Sequence, residues 1–263
     1  MLGFRLFLHA LRMILSNLPA AIRISLPALP CAAVLAVMEQ RAIQIGGLVP
    51  DRAGRWRFDL DAMGGGFASA YVAAFLVSFI VTLWVAVGWH RYILCEEGPS
   101  AFGPPWAGKA IWRYFGASFV FAIYMILWAI VFVILAAILA YILSDILPPN
   151  LLTPFITAFI GVPLTIIGYR ASPVLPSAAL GERMRVRDSI RATAGANGSF
   201  VVLGVISVLA SMALAMPAPI LAQMSMPLGL VWQIATTWIT ALAGVSILTT
   251  IYGHFIEKRD LNV

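Results

Sequence analysis

The hydrophobic residues of this chain fall into long runs rather than short alternating groups. Several runs reach about 20 residues, which is enough for an α-helix to cross a hydrocarbon core about 30 Å thick. Because the backbone in lipid must satisfy its own hydrogen bonds, such runs predict helices. We therefore expect an all-α, polytopic membrane protein with a single membrane domain. The predicted spans are residues 22–40, 67–89, 116–143, 151–169, 199–221 and 227–252.

Ahead of the first span, residues 1–20 follow a helical period with one narrow polar face. That face consists of Arg5, His9, Arg12 and Ser16. Apolar residues occupy the opposite side, a pattern typical of a helix that lies flat in the membrane interface. A cleaved signal peptide is the alternative interpretation. The prolines that follow delay the apolar stretch, which should begin at once in a signal peptide.

Polar segments separate the predicted spans. Residues 41–66 form a predicted periplasmic loop, in which mixed charge and glycine also allow a short hairpin; its charged members include Asp51, Arg52, Arg55 and Asp59. Residues 90–115 and 170–198 are predicted cytoplasmic loops. Pro27 and Pro30 fall near the start of the first span, where a missing amide donor costs least. Asp145 ends the third span.

Composition and charge give this membrane protein an orientation. The chain is 62% hydrophobic and 11% charged, whereas about a quarter of a soluble domain is charged. The net charge of +6 reflects basic loops rather than a nucleic-acid module, and we expect no nucleic-acid partner. With both termini in the cytoplasm, 13 of the 17 arginines and lysines lie on the inner side. This agrees with the retention of basic residues in the cytoplasm during insertion.

Small and hydroxyl-bearing residues recur every three to four positions in three of the spans. In lipid, such stripes allow close helix packing and interhelical hydrogen bonds. A pathway for a neutral solute is the alternative for the same residues. The candidates for helix packing or solute contact are Ser78, Thr82, Ser207, Ser211, Gln233, Thr237 and Thr240.

Ionisable residues are missing from the middles of the predicted spans. Transporters coupled to protons or cations often place such residues there, so we expect no coupling of that kind. The chain also carries no catalytic motif. The spacing of His9, His90, His254 and Cys95 matches no zinc pattern. We therefore predict no enzymatic activity, no metal and no cofactor.

Five arginines form a candidate site for lipid phosphate. Arg170 precedes apolar residues and prolines, and a basic stretch follows that contains Arg183, Arg185, Arg187 and Arg191. Arginine matches phosphate geometry and basic cytoplasmic rims attract anionic headgroups. The alternative for Arg170 is that its long side chain reaches the interface without a ligand. The expected partners are membrane lipids with anionic headgroups, and a homo-oligomer or other membrane proteins remain open.

One region resembles a known family. A proline-bearing helix (Gly161-Val162-Pro163) precedes a Ser-Pro-Val-Leu-Pro segment at 172–176 and the segment Arg-Asp-Ser-Ile-Arg-Ala-Thr at 187–193. This order is similar to that of the YciC-like bacterial inner-membrane proteins and of the related membrane domain of some glycerophosphodiester phosphodiesterases.

The resemblance is specific over about 40 residues and implies a bacterial inner membrane. No phosphodiesterase domain accompanies it in this sequence, so that activity does not carry over. We expect a non-enzymatic scaffold or a protein of envelope or lipid homeostasis. The alternative is a carrier or channel for a neutral or lipid-like solute.

Overall fold

The computed structural model describes residues 1–50, 56–144 and 146–261. Four charged residues named above, Asp51, Arg52, Arg55 and Asp145, lie outside the described residues. The elements are α1 (Leu2–Ser16), α2 (Leu18–Ser25), α3 (Ala28–Gln44), β1 (Leu48–Pro50), β2 (Trp56–Phe58), α4 (Leu60–Cys95), α5 (Gly108–Leu143), α6 (Pro149–Ala171), α7 (Val174–Leu180), α8 (Val186–Ala192), α9 (Asn197–Ala215), α10 (Pro217–Met224) and α11 (Met226–Phe255).

The helical fold class is confirmed, because 81% of the structure is helical. Among the described residues, five helical segments are long and apolar enough to cross a membrane, and the bent pair α2–α3 makes a sixth if it counts as one span. The five segments are Leu60–Cys95, Gly108–Leu143, Asn150–Leu180, Asn197–Met224 and Met226–Phe255.

The first span differs from its prediction because it is broken. Residues 22–40 were expected to form one helix, but α2 and α3 meet at a bend of 60°. Pro27 lies in the break between them. A proline inside a helix removes an amide donor and clashes with the preceding turn, which explains the break. Pro30 is the third residue of α3, where an amide has no helical partner to lose.

Helices α4 and α5 extend beyond the predicted spans into the predicted loops. Each has 36 residues, so at 1.5 Å per residue each exceeds a hydrocarbon core of about 30 Å. Helix α4 begins within the predicted loop 41–66, where Asp59 Oδ1 accepts a hydrogen bond from the Ala62 amide at 3.1 Å. Its backbone kinks at Gly64, whose φ is +67°.

A short hairpin occupies the segment between α3 and α4, where the sequence allowed one. Strands β1 and β2 pair antiparallel, with Leu48 opposite Phe58 and Val49 opposite Arg57. Leu48 packs with Ala42 and Met63 in a small buried cluster. The hairpin is therefore attached to the ends of both neighbouring helices.

Helix α1 docks on the bundle instead of lying only on a surface. Gly3, Leu6, Ala10 and Ile14 form its buried face, and Leu6 and Ala10 join a core cluster with Phe200 of α9 and Ile251 of α11. A Cβ atom at Gly3 would lie 2.1 Å from the Ser199 carbonyl oxygen. The glycine is therefore required for the close approach of α1 to α9.

Burial divides the molecule into two halves. The packed half comprises residues 2–25, 83–115, 170–204 and 242–261, and it contains the three larger clusters of buried residues. The exposed half comprises residues 28–44, 60–82, 116–143, 150–169 and 205–241, and most of the large exposed hydrophobic side chains belong to it. The first and last described segments of the chain meet in the packed half, where Arg5 Nη2 donates to the Leu261 carbonyl oxygen at 3.3 Å.

Candidate functional site

A groove lined by three arginines lies between α5, α7 and the segment that leads into α8. Its volume is about 450 Å³. Its charged lining residues are Arg113, Arg183, Arg185 and Glu182. Its apolar lining residues are Gly116, Ala117, Val120, Val174, Ala178, Met184 and Val186. We call this feature the arginine groove.

The end of α7 places the charged residues around this groove. Gly181 ends the helix with φ +88°, a conformation that L side chains rarely adopt. Arg113 Nη1 reaches across from α5 and donates to the Gly181 carbonyl oxygen at 3.3 Å. The Tyr252 hydroxyl donates to Glu182 Oε2 at 2.6 Å, so the one carboxylate of the lining is held by α11.

The lining therefore combines three positive charges and one negative charge with an apolar wall. Guanidinium groups bind phosphate with paired N–H donors. Glycine, alanine and valine side chains offer no polar group, so an acyl chain could lie against them. Basic pockets between membrane helices are typical sites for phospholipid headgroups.

The five arginines predicted from the sequence do not form one cluster. Arg183 and Arg185 line the arginine groove, whereas Arg187 and Arg191 are exposed on α8 and are not among its lining residues. Arg113 lines the groove, but sequence reasoning did not include it because it is far away along the chain. The signal was its position in the basic and aromatic stretch that opens α5.

Arg170 holds α6 against α8. Its Nη2 donates to the Ile190 carbonyl oxygen at 2.7 Å, and its Nη1 donates to Asn197 Oδ1 at 3.4 Å. Its own carbonyl oxygen accepts a hydrogen bond from Ser189 Oγ at 2.6 Å. These contacts engage Nη1 and Nη2 of the guanidinium within the protein, whereas its buried Nε has no hydrogen-bond partner there. Arg170 is therefore a bracing residue between two helices in the packed half.

Two of the predicted hydroxyl residues, Ser207 and Ser211, line a cavity of about 500 Å³ between α5, α6, α9 and α11. Thr165, Tyr169 and Ser172 contribute further polar groups to its wall. The helices α6 and α9 approach closely beside it, since a Cβ atom at Gly204 would lie 2.4 Å from Thr165 Cγ2. On α9, Gly204 therefore allows close helix packing, and Ser207 and Ser211 form part of the cavity wall.

The remaining candidates fall into two groups. Ser78, Thr82 and Thr237 line a small crevice between α3, α4 and α11. Gln233 Nε2 donates to Glu39 Oε2 at 3.2 Å and so joins α11 to α3. Thr240 is exposed and lines none of the cavities named here.

A buried histidine is the main feature that sequence reasoning missed. His90 is fully buried and its Nδ1 lies 2.8 Å from Thr249 Oγ1. Since the Thr249 hydroxyl donates to the Val245 carbonyl oxygen, His90 Nδ1–H must donate to Thr249. Nε2 then accepts from the Tyr114 hydroxyl at 3.4 Å. One signal was available: position 90 continues the four-residue stripe that runs through Thr82 and Ala86.

These polar groups do not gather as metal ligands. Within residues 1–50, 56–144 and 146–261, no three side chains of His, Cys, Asp or Glu lie close enough together to hold an ion. Cys31 and Cys95 are free thiols. The arginine groove is therefore the site with the most distinctive chemistry.

Comparison of the chain with family models, with curated proteins and with solved structures finds no match. The functional interpretation accordingly depends on the geometry described above.

Proposed function

We propose that this multi-pass membrane protein is a non-enzymatic component of envelope or lipid homeostasis that binds an anionic phospholipid in the arginine groove. The supporting observation is the meeting of Arg113, Arg183 and Arg185 at a groove with an apolar wall. The phosphate contacts the arginines, and the first methylenes of an acyl chain contact Ala117 and Val120. Exposed arginines on α8 add long-range attraction to the same leaflet.

The proposed location is the bacterial inner membrane, with both termini and the arginine groove on the cytoplasmic side. The distribution of basic residues supports this orientation. A variant with cysteine at Arg187, with Cys31 and Cys95 replaced by serine, tests it in intact cells. Labelling by a membrane-impermeant maleimide only after permeabilisation is expected. Labelling of intact cells would show that residue 187 faces outward and would contradict the proposed orientation.

Membership of the YciC-like proteins is part of the same proposal, and it is supported only by the sequence pattern at 161–193. Arg170 lies within this pattern and joins α6 to α8 by donating to the Ile190 carbonyl oxygen, so part of the pattern has a role in helix packing. Ser189 and Thr193, both in the pattern, are buried against the Arg170 carbonyl.

The arginine groove is tested with purified protein and defined lipids. Native mass spectrometry measures retention of phosphatidylglycerol and of phosphatidylcholine with the same chains. We expect the double variant R183Q/R185Q to lose at least tenfold in phosphatidylglycerol retention, because the loss of a single hydrogen bond to a charged group, about 1.5–3 kcal/mol, already corresponds to that factor. Retention of phosphatidylcholine should change little.

The matched control is R187Q/R191Q, which removes the same charge from exposed positions outside the groove. It should change phosphatidylglycerol retention less than twofold. Equal losses in the two double variants would mean that net charge attracts the lipid without a groove, and the proposal would then be wrong.

A carrier for a neutral or lipid-like solute is the second candidate function, and the cavity beside Ser207 and Ser211 favours it. Flux of uncharged solutes into proteoliposomes tests this candidate. Conversion of Ser211 to valine should slow the flux, whereas Thr240→Val should not, because Thr240 is exposed outside the cavity. Flux equal to that of protein-free liposomes would eliminate the carrier.

A further inference from the structure

The crevice between α3, α4 and α11 differs in character from the arginine groove. Its volume is about 170 Å³, similar to that of an engineered cavity that holds benzene. None of its lining residues is charged. It lies at the bend between α2 and α3, so the broken first span opens the space.

Four of the hydrogen-bond donors around the crevice, on Ser25, Ser78, Thr82 and Trp238, have partners in the protein. Ser25 Oγ donates to the Ala21 carbonyl oxygen and accepts from Trp238 Nε1 at 2.6 Å. Ser78 and Thr82 donate to backbone carbonyl oxygens of their own helix. Trp89 lines the crevice and is fully buried, but its Nε1–H has no acceptor in the protein.

A buried donor without an acceptor destabilises the structure, so an occupant with an acceptor oxygen gains binding energy from meeting it. The absence of charged lining residues requires that this part of the occupant be neutral. The rest of the occupant must be apolar, since leucine, alanine and valine form most of the wall. A carbonyl group at the head of a hydrocarbon chain has this combination.

The position of the crevice favours a membrane lipid as the source of that chain. Thr82 and Thr237 are exposed at its edge, so the crevice reaches the apolar outer surface of the bundle. Trp89 packs against Tyr92 with ring centroids 5.9 Å apart, and the cation of Arg91 is next to them in the chain. Tryptophan and tyrosine beside a basic residue are typical of the level of lipid headgroups and esters.

We propose that this crevice binds one acyl chain of a glycerolipid, with the ester carbonyl oxygen accepting a hydrogen bond from Trp89 Nε1–H. The first methylenes of the chain fill the crevice beside Trp89 and Ala86, and the rest of the chain leaves past Thr82 along the exposed apolar surface. The crevice recognises the ester and the chain, whereas the arginine groove recognises a phosphate. The two sites are therefore independent.

The test compares diacyl phosphatidylcholine with diether phosphatidylcholine of equal chain length, since the ether lipid lacks the carbonyl. Native mass spectrometry of the full-length protein with an equimolar mixture gives the ratio of the two bound lipids. We expect the ester lipid to be favoured about fivefold, as one net hydrogen bond predicts. Trp89→Phe should reduce the ratio to one.

The control is Trp232→Phe, because the Trp232 indole already donates to the Leu214 carbonyl oxygen at 2.9 Å and lies outside the crevice. It should leave the ratio unchanged. Ala32→Leu fills the crevice and should lower the binding of both lipids. A ratio of one in the unmodified protein, as expected if water satisfies Trp89, would overturn the proposal, and so would an unchanged ratio in Trp89→Phe. Both results would leave the arginine groove untouched.

Discussion

The exposed half is the more apolar of the two by sequence, yet it has the fewer buried side chains. In α5, only 6% of an apolar 18-residue window is buried, whereas 33% of such a window is buried in α11, whose second part belongs to the packed half. Lipid tails are as apolar as leucine, so hydrophobicity alone does not bring helices together in a membrane. The packed half is held by close backbone approach, buried hydroxyls and arginine hydrogen bonds. Hydrophobicity thus explains why the helices enter the membrane, and these contacts explain why they pack against one another.

Leucines in the two halves give the largest expected contrast. Leu203 is fully buried in the packed half, whereas Leu135 on α5 is 46% exposed. Leu203→Ala should cost about 4 kcal/mol in the free energy of unfolding, since it leaves a cavity. Leu135→Ala should cost less than about 0.5 kcal/mol. Reversible unfolding in mixed micelles measures both, and similar losses would contradict the division into halves.

Glycines provide the second contrast. Gly3→Ala introduces a Cβ atom 2.1 Å from the Ser199 backbone, so α1 must shift, at an expected cost of about 2–3 kcal/mol. Gly161 on α6 has no atom within 4 Å of its ideal Cβ position. Gly161→Ala should be neutral or slightly stabilising, because alanine favours the helix. Thermal unfolding of the two variants side by side measures the difference.

Two threonines on α11 allow the halves to be compared by Thr→Val substitutions, which hardly change the side-chain volume. Thr249→Val removes the acceptor of the buried His90 Nδ1–H and should destabilise the protein by about 2 kcal/mol. Thr240→Val alters an exposed site and should change stability by less than about 0.5 kcal/mol. Denaturant midpoints of the two variants provide the measurement. An unchanged denaturant midpoint in Thr249→Val would mean that a water molecule accepts the hydrogen bond of His90 in place of the threonine hydroxyl.

The smallest expected effect concerns the edge of the packed half. Tyr252→Phe removes one hydrogen bond to Glu182, and the exposed carboxylate can then be hydrated, so a loss of about 1 kcal/mol is expected. Tyr141→Phe on α5 changes a side chain that is 83% exposed and should have no measurable effect. The midpoint shift of thermal unfolding separates these outcomes.

The sequence predicted those features that depend on local pattern. Long apolar runs indicate spans because each helix satisfies its own backbone in lipid, and the glycine-rich polar loop allowed the hairpin now seen. The bend at Pro27 was missed because a proline near a helix start is compatible with either a start or a break. The choice depends on whether α2 packs against the bundle, and its buried Ala21 and Ile24 show that it does.

The site was only partly predictable because it depends on contacts between distant segments. Arg183 and Arg185 were recognised from their basic stretch, but Arg113 reaches the groove from another helix. Arg170 looked like a ligand because apolar residues follow it, yet its Nη1 and Nη2 donate to Asn197 and Ile190, while its buried Nε–H has no partner in the protein. His90 was expected to open the polar loop 90–115, yet α4 continues to Cys95 and His90 is fully buried.

The docking of α1 has a consequence for biosynthesis. Its partner α11 begins about 210 residues later in the chain, which at 5–20 residues per second corresponds to a wait of roughly 10–40 s during translation. During that interval α1 lacks this partner, and its amphipathic pattern suits it to the bilayer surface. The same segment would then serve first as a temporary surface anchor and afterwards as the closing piece of the assembled bundle.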